Sequence, residues 1–182
     1  MSIRARRLAN DYRQVLSEFS HSDIVSVQAV SGDPPGRYLV TYNLSGIAWD
    51  ASQQRPHGVT KHVVDITLPL GYPKQSPRCV MHTPIWHPNI GDYVCIGDFW
   101  SAGVTLVNII AHIGDMIQYR SYNLKSPVSK EAAQWAQRNL RSFPLGTKDI
   151  IPPDRGARPV IIAPETTTPS DFEISLGPIK SR

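Results

Sequence analysis

Leu106, Val107, Ile109, Ile110, Ile113, Met116 and Ile117 recur at helical spacing and cover most of one side of the helix they predict. A helix this apolar has to be wrapped by other elements, so it is expected to be the buried spine of a domain. The composition agrees: 182 residues, 41% hydrophobic and 19% charged, describe a globular chain with a real core. At roughly 150 residues per domain, that length predicts one domain with a remainder.

The elements around the spine follow from periodicity. Leu8, Tyr12, Val15, Leu16 and Phe19 fall on one face of a first helix, with Arg4, Arg6, Arg7 and Arg13 on the other side. Three β-rich runs follow at 23–30, 36–46 and 62–70, and a fourth at 78–82 comes after the breakers Gly71-Tyr72-Pro73 and Ser76-Pro77. The first two runs are separated by Ser31-Gly32-Asp33-Pro34-Pro35-Gly36, dense in turn residues, so the four runs predict an antiparallel meander. The polar connection 48–61 is expected to be an exposed loop. A last helix is expected at about 129–140, opened by Ser126-Pro127 or capped by Ser129. The order of helix, four strands, irregular segment and two helices predicts an α+β fold with the helices segregated from the sheet.

From Phe143 onward Pro144, Pro152, Pro153, Pro159, Pro164, Pro169 and Pro178 leave no room for an ordinary helix. The domain is therefore expected to occupy 1–140 and a Pro-rich extension 141–182, in which Val160, Ile161 and Ile162 form the one apolar cluster.

Lys plus Arg is 19 and Asp plus Glu is 15, a net charge of +4 that falls short of the concentrated charge nucleic-acid binding needs, so no nucleic-acid partner is expected. Two cysteines, Cys79 and Cys95, are too few for a disulfide framework and favour a reducing compartment. No run of 18 apolar residues predicts a membrane span, and the basic N-terminus lacks the apolar stretch of a signal peptide. The expectation is a cytoplasmic protein.

Regular structure is expected to stop between Thr83 and Gly103, the stretch that holds Trp86, His87, Asn89, Asp92, Cys95, Asp98 and Trp100. Irregular backbone set against a rigid scaffold is where chemistry concentrates. Three chemistries fit these side chains. Cys79, His82, His87 and Cys95 are zinc-ligand types, but Cys79 and His82, three apart on a strand, face opposite sides of the sheet. A Cys–His hydrolase would use Cys95 with His87 or His112, although His87 precedes Pro88 and reads as a turn-fixing residue bonded to backbone. Acyl transfer through a thioester would use the Cys95 thiol with the Asn89 amide as a donor to the oxyanion.

With Tyr72-Pro73 and Pro77 ahead of a strand, His87-Pro88-Asn89, Cys95, Trp100-Ser101 leading into Thr105-Leu106, and Asn123 with Pro127 before the last helix, residues 3–140 resemble the ubiquitin-conjugating enzymes. The resemblance implies their fold, with Cys95 as the thioester-forming nucleophile and Asn89 as the amide that stabilises the oxyanion or fixes the active-site loop. It makes His87 and Pro88 loop-shaping residues. The first helix, with Arg4, Arg6, Arg7 and Arg13, falls where the family docks its activating enzyme. The implied partners are a ubiquitin-like modifier, an activating enzyme and either a ligase or a direct protein target. No metal or organic cofactor is implied, because the acyl group arrives already activated.

Two departures stand out. Ile90 to Val94 supply only five residues between Asn89 and Cys95, fewer than family members typically carry, so the active-site rim is trimmed. The acidic residue that usually precedes the proline before the last helix is Ser126 here, which leaves Ser126 or Asp98 as gate candidates, with Asp92 a further carboxylate. Such trimmed chains resemble the conjugating enzymes of bacterial ubiquitin-like operons, some associated with phage defence. The same departures suit a catalytically inactive variant that only binds a ubiquitin-like protein. Cys79 is expected to be a small core side chain, Trp49 and Trp135 packing residues, and Trp135 to lie on the inward face of the last helix.

Overall fold

A computed structural model describes residues 2–151. The expected helix–meander–helix order is present: α1 (Ile3–Phe19), β1 (Val25–Gly32), β2 (Pro35–Asp50), β3 (Arg55–Thr67), β4 (Arg78–Met81), α2 (Leu106–Ile117) and α3 (Lys130–Arg138). The four strands form one antiparallel sheet in the order β1-β2-β3-β4.

Alternation along the strands decides which face is covered. Tyr38, Val40, Tyr42 and Leu44 of β2 and Val64 and Ile66 of β3 are fully or almost fully buried, and the register sets Val40 opposite Val64 and Ile66 opposite Cys79. That face meets α2, whose Leu106, Ile109, Ile110, Ile113 and Ile117 are completely buried, so the apolar helix is the spine of the core. Thr105 caps it in a capping box with Asn108. Cys79 is 2% exposed within the same core, and burial pushes its thiol up to about 12, so it stays protonated.

Helix α1 is capped by Ser2 and buries Leu8, Val15 and Phe19. Leu16, expected on the inward face, is 47% exposed. It lies at the margin of the stripe and lines an open groove with Phe19 and Val25 of β1. The buried face instead admits a charge. Asp11 is completely buried and accepts from Arg7 Nε at 2.8 Å, Tyr72 Oη at 2.5 Å and the Leu106 amide at 3.4 Å, so one carboxylate ties α1, the Tyr72 turn and the start of α2 together.

The segment 48–61 is not a loop. β2 and β3 continue through it as a hairpin, pairing Ala48 with His57, Trp49 with Pro56 and Asp50 with Arg55. Asp50 Oδ1 closes the turn by accepting from the Ser52 amide, the Ser52 hydroxyl and the Gln53 amide. Arg55, His57, Gly58 and Thr60 are all exposed, so this part of the ladder carries no apolar alternation to reveal it.

Beyond α3 the chain makes a 3₁₀ turn at Leu140–Ser142 and then lies along the domain. Phe143 and Leu145 pack in an aromatic cluster, and Ile150 and Ile151 are buried in the main core. Ile150 fills the space left by Gly114 of α2, where a Cβ would come within 2.1 Å of the Ile150 Cδ1. Residues 152–182, with the Val160–Ile162 cluster, lie outside the described residues. Among the described residues no helix is long and apolar enough to cross a membrane.

Candidate active site

The loop between β4 and α2 is fixed mainly through backbone groups. His87 is completely buried, and its Nδ1 accepts from the Asn89 amide at 3.1 Å. This is the turn-fixing geometry that the His-Pro pair predicts. Burial drives the His87 imidazole down to about 3, so it is neutral and a poor base at neutral pH. The Pro88 carbonyl accepts from the amides of Val128 and Ser129, which holds the start of α3 against the loop.

Asn89 is 5% exposed and its side chain is spent on the neighbouring loop. Oδ1 accepts from the Asn123 amide at 2.7 Å, while Nδ2 donates to the Asn123 carbonyl at 2.9 Å and the Ser126 carbonyl at 3.3 Å. Both amide donors and an acceptor thus clamp 123–126. Of the two roles implied for Asn89, this arrangement supports loop fixing. Ser126 reaches the clamp through its main chain, and its own amide donates to Asn123 Oδ1 at 3.3 Å.

Cys95 follows a tight reversal. Isolated bridges pair His87 with Ile90 and Ile90 with Val94, the Gly91 amide donates to the Tyr93 carbonyl, and Ile90 and Val94 are buried as anchors. Five residues suffice because the reversal is this short. The Val94 amide donates to the Cys79 carbonyl and the Cys95 amide to the Asn89 carbonyl at 2.9 Å. The Cys95 thiol is half-buried and lies against Gly97, where a Cβ would stand 3.5 Å from Sγ. Main chain rather than a bulky side chain therefore borders the sulfur on that side.

The 3₁₀ turn Gly97–Phe99 carries exposed Asp98, three residues beyond Cys95. Phe99 stacks on His112 of α2 with centroids 4.0 Å apart and planes 3° apart, and Trp100 packs on Tyr72 at 5.7 Å. Burial lowers His112 to about 4. Neither histidine weighed as a hydrolase base is tuned near neutrality, which argues against a Cys–His pair. The four zinc-ligand types are not gathered either: among the described residues no group of three or more His, Cys, Asp or Glu could hold a metal ion.

The four arginines of α1 separate into two pairs. Arg4 donates to the Leu68 and Pro69 carbonyls, and Arg7 pairs with Asp11, donates to the Ala102 and Val104 carbonyls and lies over the Tyr72 ring at 5.3 Å. These two are drawn into the domain, so the expected free face of four shrinks to exposed Arg6 and Arg13. Guanidinium groups satisfy several carbonyls at once, which is why a basic helix face does not have to be a solvated one.

Behind the loop lies a separate cluster that the sequence reading missed. Tyr119, 1% exposed, sits just past α2; its hydroxyl donates to the Trp86 carbonyl and its ring meets His87, Tyr122, Trp135 and Phe143. Trp86 stacks on Trp49 of the long hairpin at 4.7 Å, so Trp49 is the packing residue expected of it. The available signal was aromatic density around 119–143, which names a cluster but no partner.

The sequence pattern of the family described as "Ubiquitin-conjugating enzyme" matches residues 50–149, more than half of the chain. Ubiquitin-conjugating enzyme E2 27 of Arabidopsis thaliana is 30% identical over 86 residues, which are 44% of this chain and 44% of that protein, so the match spans less than half the length of that relative. Among solved structures, the E2 domain of a Toxoplasma gondii ubiquitin-conjugating enzyme superposes with a TM-score of 0.52 at 23% identity, covering 76% of this chain and 90% of that one. A Plasmodium yoelii chain described as a ubiquitin-conjugating enzyme gives 0.55 at 18% identity, over 79% and 89%. Those two likenesses speak for the fold; with the pattern matched across β3, β4, the loop that carries Cys95, α2 and α3, the chain belongs to the ubiquitin-conjugating enzyme family.

Proposed function

We propose that this chain accepts the C-terminus of a ubiquitin-like protein from an activating enzyme as a thioester on Cys95 and passes it to an amine. The observation that carries the reading is the half-buried Cys95 thiol at the end of a loop bonded through Asn89, Pro88 and Val94 to three neighbouring segments. In charging, the Cys95 thiolate attacks the carbonyl of the modifier held on the activating enzyme's thiol. A C–S bond forms to Cys95, the old C–S bond breaks, and the released thiolate takes up a proton. In discharge the amine nitrogen attacks, the C–N bond forms as the Cys95 thiolate leaves, and the ammonium proton passes to a base. Asp98 and Ser126 are the proposed gate for that proton, while Arg6 and Arg13 are proposed to meet the activating enzyme.

The short rim between Asn89 and Cys95 supports placing the chain in a bacterial ubiquitin-like operon acting in the cytoplasm, with phage defence as the setting. Incubation with the cognate activating enzyme, the modifier and ATP is expected to give an adduct that reductant removes. Cys95→Ala should form none; an adduct on that variant, or none on the wild type, overturns the reading.

A second reading, a binding module without catalysis, draws on one observation: both amide donors of Asn89 are taken by backbone carbonyls, leaving none for an oxyanion. A modifier complex equally tight with Cys95→Ala, and no charging with any activating enzyme, would favour it.

A further inference from the structure

We propose that Tyr119 is a positioning residue for Cys95, and that it joins the segment after α3 to the active-site loop. This rests on Cys95 being the thioester cysteine, but it concerns how the loop is held rather than what it carries.

The segment 143–151 is seated through Gln118, which is completely buried. The Leu145 amide donates to the Gln118 carbonyl at 2.8 Å. The Gln118 side chain then pairs with both main-chain groups of one residue, accepting from the Lys148 amide at 3.0 Å and donating to the Lys148 carbonyl at 2.9 Å. Arg120 adds bonds to the Lys148 carbonyl and to Asp149 at 2.9 Å. Nothing in these contacts touches the active-site loop, so their effect has to travel through a neighbour.

Tyr119 is that neighbour. Phe143 stacks on its ring at 4.2 Å with the planes 15° apart, and His87 packs against the same ring edge-on at 4.7 Å. The Tyr119 hydroxyl bonds the Trp86 carbonyl, one residue ahead of His87. From there the chain of bonds is continuous: His87 Nδ1 holds the Asn89 amide, and the Asn89 carbonyl holds the Cys95 amide. A second, independent observation is the backbone. Tyr119 has φ of +55°, a conformation that bulky residues seldom take, and it is sustained here by rings on several sides.

Tyr119→Phe keeps the ring and deletes only the bond to Trp86. Amide exchange at Cys95 should speed up on the order of tenfold relative to amides of β2, and the saturating charging rate should fall about tenfold with half-saturation unchanged. That is part of the roughly hundredfold that a 1 Å displacement of reacting groups costs. Phe143→Leu, which removes the stacked ring but leaves the hydroxyl bond, should shift both readings in the same direction and by less. Unchanged Cys95 exchange in folded Tyr119→Phe overturns the proposal, as does faster exchange that merely matches a uniform loss across β2. If the wild type forms no thioester, the function proposed above fails, and alkylation of Cys95 by iodoacetamide still decides the positioning. Cys79 is 2% exposed and does not compete for that reagent. An alkylation pH profile that Tyr119→Phe leaves unmoved, together with unchanged exchange, overturns it in that case too.

Discussion

Around Ile109 and Ile110 the chain packs aliphatic side chains from α1, α2 and every strand of the sheet, while around Tyr119 it packs rings from a hairpin, two loops, α3 and the segment after it. The first region needs few directional bonds, because its backbone groups are satisfied within helices and strands. The second has almost no regular structure to satisfy its backbone, so side chains do it: Tyr119 takes the Trp86 carbonyl, Asn89 clamps 123–126 and Gln118 pairs with Lys148. Apolar packing tolerates small shifts; hydrogen-bonded loops do not, and each lost partner strands a buried polar group. The loop that carries Cys95 draws on both: Ile90, Val94 and Ile96 anchor it in the first region, while the bonds of Asn89 and Tyr119 tie it to the second.

The largest effect separating the two regions is expected in the aliphatic one. Ile110→Ala empties a fully buried site on the spine and should cost about 2–5 kcal/mol in chemical denaturation, the usual range for such truncations. The surviving folded fraction should still be charged normally on Cys95. A charging rate that falls in the folded fraction would mean the two regions are not separable.

Asn89→Ala is the matching lesion in the loop. It deletes one acceptor and two donors at a 5% exposed position and should cost about 1–3 kcal/mol, with the loss concentrated in 123–129. Exchange at Val128 and Ser129, whose amides bond Pro88, should speed up before that of β2. Uniform acceleration would put Asn89 in the same cooperative unit as the sheet.

These two lesions also show where the sequence was informative. The spine, the four strands and the burial of Cys79 were legible, and the last helix was too, with its cap at Ser129 the second of the two openings expected, because each rests on a periodicity or a local bond that few residues encode. His87 was legible for the same reason: its bond to the Asn89 amide spans two residues. Asp11, Gln118 and Tyr119 were not, since their partners lie 95, 30 and 33 positions away and polar or aromatic letters carry no record of distant partners. The hairpin past Ala48 was hidden because both of its faces are largely solvated. The seating of 143–151 was hidden because proline spacing rules out a helix but says nothing about docking.

Acid should separate the regions further. Burial holds His87 at about 3, whereas an unfolded or opened loop titrates near 6.5, so the closed loop binds fewer protons between those values. Stability from the neutral ring is therefore complete above about 6.5 and is lost as pH falls toward 3, by up to about 1.4 kcal/mol per unit. Protection factors of the Asn89 and Cys95 amides should drop about tenfold per unit below 6.5. His62 of β3, completely buried opposite Tyr42 of β2 and also lowered by burial, is expected to give the sheet an acid dependence of its own through global unfolding. His87→Gln should flatten the loop's slope and leave that of β2; if the loop slope persists, another group controls it.

The smallest effect on stability is expected on α1, where three arginines that look alike in sequence divide between two duties. Arg6 and Arg13 are exposed and seven positions apart, hence on one face of the helix. Arg6→Glu and Arg13→Glu should change stability by no more than about 0.5 kcal/mol. If this face meets an acidic surface of the activating enzyme, both should slow charging through association, with the deficit shrinking as salt rises. Arg7→Ala is the contrast: it strips the buried Asp11 carboxylate of its cation and leaves the Ala102 and Val104 carbonyls without that donor, so it should lower stability more than either reversal. Charging deficits in Arg6→Glu and Arg13→Glu that salt does not alter, or none at all, remove both from the docking face and leave α1 with a structural duty at Arg4 and Arg7 alone.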